Sequence, residues 1–349
     1  MENFFVNIAG LIRDLIAGFG LNEVLVYLAM VVVKFVAVLV FVLLNVVVLV
    51  YMERRVAGFF QERLGPNRVG PQGTLQLVMD IFKLLSKEDI VPAGADKFVY
   101  KAAAYAIFVP TILVYMVIPF GKGMNVIDLN LGLFYILAIS SVTTMIIFMA
   151  GWGSRNKYSL VGGMRAIAQM VSYEIPYVFS FLGVIMLTGS LKMSTIVEAQ
   201  QDVWFIVLQP IAFIVFLIAG NAEINRGPFD LPEGEQELVA GYHTEYTAGR
   251  FAMFYMAEYA NLLAMAAIGA TVFLGGWHGP WLPGWLWFFI KMYALVFGQM
   301  WVRWTFPRIR IDHLMHFNWK VLLPVSLANI IVTGIGIKVY QMVRMMGWW

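Results

Sequence analysis

The side chains able to do chemistry in this sequence are mostly carboxylates, and they are gathered unevenly. The segment AEINRGPFDLPEGEQELVAGYHTEYTAGRF holds Glu223, Asp230, Glu233, Glu235, Glu237 and Glu245 against only Arg226 and Arg250. In an extended stretch Glu233, Glu235 and Glu237 share a face; in a helix Glu233 and Glu237 do. Like charges a few ångströms apart do not all ionise cheaply, so at least one pKa is expected to rise toward neutral. Groups that exchange protons at pH 7 are what a proton relay needs. The plain alternative is a solvated acidic loop, but Pro228 and Pro232 stiffen this one and apolar stretches flank it.

Further charges fall inside those apolar stretches: Glu174 in MVSYEIPYVFS, Glu258 in FYMAEYANLL, and the lysines Lys34 and Lys291. A charge at mid-membrane costs about 2.5–3.5 kcal/mol on insertion scales, so carboxylates there read as functional. Pro176, two residues after Glu174, removes a helix hydrogen bond and favours a kink or a water. For the two lysines, pairing with a Glu or snorkelling explains their presence as well as transport does.

A second polar segment, YMERRVAGFFQERLGPNRVGPQGTLQLVMDIFKLLSKEDIVPAGADKF, is too long to be a mere connection. Within it GPNRVGPQG is a turn-rich strip: Pro66 and Pro71 fix φ, Gly65, Gly70 and Gly73 permit unusual angles, and Arg68 projects. Leu75, Leu77, Val78, Ile81, Phe82, Leu84 and Leu85 then alternate with Asp80 and Lys83, the pattern of an amphipathic interfacial helix. A basic membrane anchor is the simpler reading, yet Glu53, Glu62, Asp80, Glu88, Asp89 and Asp96 have no place in it.

The elements that position these groups are set by composition. Of 349 residues 61% are hydrophobic and 13% charged, about half the charged share of a soluble domain. Apolar segments fall at Leu25–Met52, Lys101–Pro119, Leu131–Gly151, Ser172–Thr188, Trp204–Asn221, Phe251–Gly275, Trp285–Trp304 and Val321–Val343. The expected fold class is all-α, a polytopic membrane protein of about eight transmembrane helices plus interfacial amphipathic helices. Residues 1–349 form a single bundle, with an amphipathic start at 1–20, a first loop at 53–100 and an acidic loop at 223–250. In that start Phe4, Phe5, Ile8, Leu11, Ile12, Leu15, Ile16 and Phe19 recur at helical spacing, and no cleavable signal is expected.

Lys and Arg orient the bundle. Loops one, three, five and seven carry eight, three, two and four of the 24 basic residues, and the intervening loops one, one and none. The basic loops are therefore expected to be cytoplasmic and both termini outside. The absence of Cys removes disulfides, iron–sulfur ligation and thiol catalysis. His243, His278, His313 and His316 all read as loop residues, so paired intramembrane haem ligands are not expected. No Walker-type loop, nucleophile elbow, HExxH helix, metal cluster or nucleic-acid module is present.

Six strips in order, MERRVAGFFQERLGPNRVGPQG, KEDIVP, AGWGSRNKYSLVGGMRAIAQMVSYE, AEINRGPFDLPEGEQELVAGYHTEY, MAEY and PRIRIDHLMHFNWKVLLP, run through nearly the whole chain. In them the sequence resembles a membrane subunit family of proton-translocating NADH:quinone oxidoreductase (respiratory complex I), the one that is the mitochondrially encoded first subunit in eukaryotes. The resemblance implies a subunit joining the hydrophilic and membrane arms and building the membrane side of a quinone chamber. It places Glu53, Arg54, Arg63, Arg68, Asp80 and Lys83 at the quinone site. It places Glu174, Asp230, Glu233, Glu235, Glu237, Glu245 and Glu258 in the proton relay.

Quinone is then the substrate, with NADH, FMN and iron–sulfur clusters in partner subunits. Implied partners are the soluble quinone-site subunits of the peripheral arm, small and antiporter-like subunits of the membrane arm, and the lipid bilayer, with no nucleic acid. The implied location is a bacterial plasma membrane or an organellar inner membrane. Competing readings are a homologous subunit of a ferredoxin-, F420- or hydrogen-dependent complex, and a standalone cation/proton antiporter.

Overall fold

The computed structural model describes residues 4–18, 22–232 and 234–345. The long helices are α1 (Phe4–Ala17), α2 (Glu23–Phe60), α3 (Gln76–Ser86), α4 (Lys97–Met116), α5 (Gly132–Gly153), α6 (Lys157–Thr188), α7 (Pro210–Glu223), α8 (Ala248–Val272), α9 (Gly284–Thr305) and α10 (Ile311–Met345). Among the described residues seven of these are long and apolar enough to cross a membrane: α2, α4, α5, α6, α8, α9 and α10.

The expected fifth span differs. It is the 14-residue α7 preceded by the short helical turn Phe205–Leu208. At 1.5 Å per residue α7 covers only ~21 Å of a ~30 Å core. The break follows from Pro210, which excludes Gln209 from the helical region. Irregular backbone is tolerated at such depth only inside protein. Gln209 is buried, donating to Thr333 Oγ1 at 2.8 Å and accepting from Asn329 Nδ2 at 2.9 Å, so α10 caps the break.

Other boundaries also moved. Helix α2 runs eight residues beyond Met52, placing Glu53, Arg54 and Arg55 on its last turns rather than in a loop. Helix α6 begins at Lys157, not near Ser172, because Arg165 and Gln169 interrupt the apolar window without interrupting the helix. Pro176 is accommodated within α6. His313 and His316 lie on the first turns of α10, not in a loop, and Pro324 follows a π-helical turn at Asn318–Leu322.

Helices α1 and α3 form as their periodicity requires. Their apolar faces stay largely exposed, at Leu11 and Leu15 in α1 and at Phe82 and Leu85 in α3. Phe19 and the rest of the chain start at 1–3 lie outside the described residues. Lys34 and Lys291 meet backbone carbonyls rather than carboxylates: Lys34 Nζ donates to Asn125 O at 3.3 Å, and Lys291 Nζ to Gly276 O and His278 O at 3.0 and 2.6 Å.

The connections at 61–96, 154–156, 224–247 and 306–310 converge on one face. Asp96 N donates to Gly153 O at 3.0 Å, Ile90 N to Thr247 Oγ1 at 3.1 Å, and Ile309 N to Pro228 O at 3.3 Å. The acidic loop rests backbone to backbone on α6: a Cβ at Gly162 would stand 2.7 Å from Gly241 Cα. We expect Gly162→Ala to lower stability by about 1–3 kcal/mol, since neither backbone can yield like a side chain. A thermal melt of the detergent-purified protein reads this, and an unchanged midpoint would show that the contact has slack.

Candidate functional site

Where α6, α7 and the acidic loop meet, Gln169 ties them together. Its fully buried amide donates to Ala222 O and Phe229 O, both at 2.8 Å. A neutral amide suits this position because it bridges two carbonyls without bringing a charge into the bundle. The anchored loop projects Arg226 toward α2, α8 and α9.

There the largest buried ionic cluster assembles. Arg226 Nη2 meets Glu53 Oε2 at 2.6 Å and Arg226 Nε meets Glu258 Oε1 at 2.7 Å. Arg303 Nη1 meets the other Glu53 oxygen at 2.7 Å. The Arg226 guanidinium also lies 4.3 Å from the Tyr259 ring centroid. Two cations and two anions alternate, so the group is neutral overall. Burial works against the Arg226 charge, but Glu53 and Glu258 outweigh it and hold the guanidinium more firmly protonated than usual.

Asp230 lies beside this cluster in a different state. Its Oδ2 faces Arg308 Nη2 at 3.3 Å, while Oδ1 is buried without a hydrogen-bond partner among the described residues. Burial pushes its pKa up to about 6, against the pull of Arg308 and Arg303. The sequence expects a raised acid among Glu233, Glu235 and Glu237, and Glu237 is not one. It is exposed, accepts a hydrogen bond from Arg165, and has a lowered pKa because of that bond. Glu233 and the Glu235 side chain lie outside the described residues.

The carboxylate least supported by neighbours is Glu223, at the end of α7. It is buried, and neither oxygen has a hydrogen-bond partner among the described residues. Two cavities adjoin it. One, of about 30 Å³, is lined by Glu223, Asn225, Asn261, Thr143 and Glu258. The other, of about 50 Å³, is lined by Glu223, Asn261, Ser140, Thr143 and Tyr177. Both exceed the ~10–15 Å³ that a water requires, and both offer it polar partners. Glu174, which accepts from Ser141 on α5, is within electrostatic reach of Glu223. Glu245 accepts from Asn156, at the start of α6.

The first-loop residues divide. Asp80 on α3 accepts from Arg54 at 2.6 Å and from Gln76 at 3.2 Å, fastening α3 to the end of α2. Burial raises the Asp80 pKa, but those bonds prevail and hold it below its ordinary value. Glu53 is taken into the ionic cluster. Arg63, Arg68 and Lys83 are exposed, Arg63 donating to the Gln61 side chain at 2.6 Å. Around the turn-rich strip, an open groove of about 570 Å³ is lined by Tyr51, Arg55, Asn67 and Gln72. A second, of about 700 Å³, lies between Lys83 of α3, Lys87 just beyond its end, and Tyr246 to Phe251.

Sequence reasoning left Glu223, Arg226, Arg303, Arg55, Gln169 and Ser141 out of the site. One usable signal was Arg226, set between Glu223 and Asp230 at the edge of an apolar segment. Removing one member of a buried ionic group strands the others, at about 3–5 kcal/mol. Arg226→Gln is therefore expected to destabilise by that order and Arg226→Lys by less, because Lys keeps the charge but cannot serve both carboxylates in a planar fork. Thermal melts of both variants check this, and equal losses would argue against the fork geometry.

Known proteins are similar to this chain in sequence. The family model described as NADH dehydrogenase matches residues 33–334. The NADH-quinone oxidoreductase subunit designated H in Carboxydothermus hydrogenoformans is 49% identical over 347 residues, 98% of this chain and 99% of that protein. The proteins of the same name from Dehalococcoides mccartyi and Geobacillus kaustophilus are 55% and 54% identical, over 86% and 81% of this chain and 84% and 86% of their own lengths. With the match spanning α2 to α10 and both loop regions, this chain belongs to the NADH dehydrogenase family, alongside these NADH-quinone oxidoreductase subunits.

Proposed function

We propose that the chain is the membrane subunit of a proton-translocating NADH:quinone oxidoreductase that walls the membrane side of the quinone chamber and passes protons inward through buried carboxylates. Its relatives carry the name of that oxidoreductase, and its own residues supply the means of coupling. NADH oxidation, FMN and iron–sulfur chemistry belong to soluble partner subunits on the peripheral arm. Small and antiporter-like membrane subunits receive the protons. The acidic-loop face is the cytoplasmic one, and both termini lie outside.

The observation that carries this reading is Glu223, a buried acid without hydrogen-bond partners among the described residues, between two water-sized polar cavities. Glu258, within electrostatic reach of Asp230, lines one cavity and Ser140 the other, and Glu174 is within electrostatic reach of Glu223 itself. Asp230 takes up a proton, Glu223 holds it at mid-path, and Glu174 hands it on. Glu53 and Glu258, each gripped by guanidinium groups, act as fixed counter-charges that shape the local potential rather than as carriers. Glu233, Glu235, Glu237 and Glu245, the other acids of the loop, are assigned to proton collection.

Quinone reduction beside Arg54, Asp80 and Lys83 consumes protons and alters the charge facing the loop, which shifts acids poised near neutrality. Moving one charge across 100 mV costs about 2.3 kcal/mol, which the redox step supplies.

Glu223→Gln keeps the shape and removes the proton site. In the assembled complex reconstituted into vesicles we expect proton pumping to fall by about 10²-fold or more, the scale of losing a positioned acid–base group. Pumping at the wild-type ratio to quinone reduction would remove the relay. Asp230 gives a pH test: below about 6 it carries its proton and above it is a carboxylate beside Arg308. Pumping should show an inflection there that disappears in Asp230→Asn, and an inflection retained by that variant assigns it to another group.

A further inference from the structure

On the face opposite the acidic loop, a cavity of about 450 Å³ lies between the connections at 117–131, 189–209 and 273–283. Its volume is within the ~300–1,000 Å³ typical of small-molecule sites. The lining includes Lys122, Glu198, Gln201, Trp277, His278 and Trp285. Lys122 and Glu198 carry opposite charges, yet neither forms a salt bridge with the other or with any other described residue.

No further charge lines the cavity, and Lys192, within electrostatic reach of Glu198, is paired with Asp128 at 2.8 Å. Burial, and then the Lys291 ammonium, keep the His278 imidazole below its ordinary pKa and therefore neutral at pH 7. Lys291 itself is engaged by the Gly276 and His278 carbonyls and by the Trp204 ring, 4.2 Å from its Nζ. The cavity thus presents one cation and one anion held apart, with net charge zero.

The neighbourhood is that of a membrane interface. Phe5 of α1 meets the Trp285 ring edge-on at 5.5 Å, and Val6 lies 3.7 Å from where a Cβ on Gly123 would stand. Helix α1 therefore borders the cavity, with Leu11 and Leu15 turned outward at 66% and 70% exposure. Trp281 is 99% exposed nearby. Amphipathic helices and tryptophans collect at the depth of lipid headgroups.

We propose that this cavity binds the headgroup of a zwitterionic phospholipid of the phosphatidylethanolamine type, its phosphate toward Lys122 and its ammonium toward Glu198. The aromatic walls suit the ammonium, and neutral Gln201 and His278 add polar contacts without disturbing the charge balance. An anionic headgroup would satisfy Lys122 but place its charge near Glu198, so the site selects against it. This site is independent of the proton relay.

The test uses the full-length chain purified with its native partners, stripped in detergent and re-equilibrated with vesicles of equal phosphatidylethanolamine and phosphatidylglycerol. Lipid retained per chain is quantified by mass spectrometry. Wild type is expected to retain one more phosphatidylethanolamine than Lys122→Gln or Glu198→Gln. Glu198→Gln, which leaves the cavity positive, shifts retention toward phosphatidylglycerol, and Lys122→Glu loses both lipids. Equal retention of both lipids by wild type and all three variants overturns the proposal, as does a wild type that prefers phosphatidylglycerol. Because the readout is bound lipid, its failure leaves the relay untouched, and loss of pumping in Glu223→Gln leaves the lipid site untouched.

Discussion

The arrangement depends on a neutral ionic quartet placed where an apolar bundle can least accept a lone charge. Arg226 reaches from the acidic loop to Glu53 on α2 and Glu258 on α8, and Arg303 on α9 closes the group. Each arm matters because leaving a member unpaired at this burial costs about 3–5 kcal/mol. The loop and three helices are thereby held in one register. Charge neutrality within the quartet also leaves neighbouring acids free of a dominating field, so burial governs Asp230.

The same junction explains why water-sized spaces survive in it. Helix α7 is short and ends on Glu223, and Ala222 O there is already taken by Gln169. Asn261, Thr143 and Ser140 provide the remaining polar walls. Dense packing resumes a turn away, around Phe216, Phe181 and Phe273. Polar lining and apolar sealing are thus separated by a few residues along α6 and α7. That is the condition for protons to move without opening the bundle to solvent.

Much of this was legible in the sequence. Apolar runs located every span, and periodicity located α1 and α3, because lipid and interface act on local composition. The misplaced limits of α2 and α6 share one cause: Glu53, Arg165 and Gln169 look like loop residues to a hydropathy window, while partners distant in the chain bury or pair them. Arg226 and Glu53 are 173 positions apart, and no local pattern announces such a meeting. The acidic loop was recognised as the place for titrating groups, but like-charge crowding singled out Glu233, Glu235 and Glu237. Arg165 neutralises Glu237, and it is burial, not crowding, that raises Asp230. The helix break at Pro210 was invisible because Trp204–Asn221 reads as one apolar run.

Helix α2 has a mechanical consequence. It is a single 38-residue rod, with no proline and no glycine before Gly58, so the usual causes of a sharp kink are missing. Longer than the hydrocarbon core is thick, such a rod answers a thinner bilayer by leaning, not bending. Over its ~57 Å, a lean of about 5° sweeps the far end through roughly 5 Å. Glu53 and Arg54 ride on that end, so membrane thickness acts as an input to the geometry of the ionic quartet and of the Arg54–Asp80 fastening.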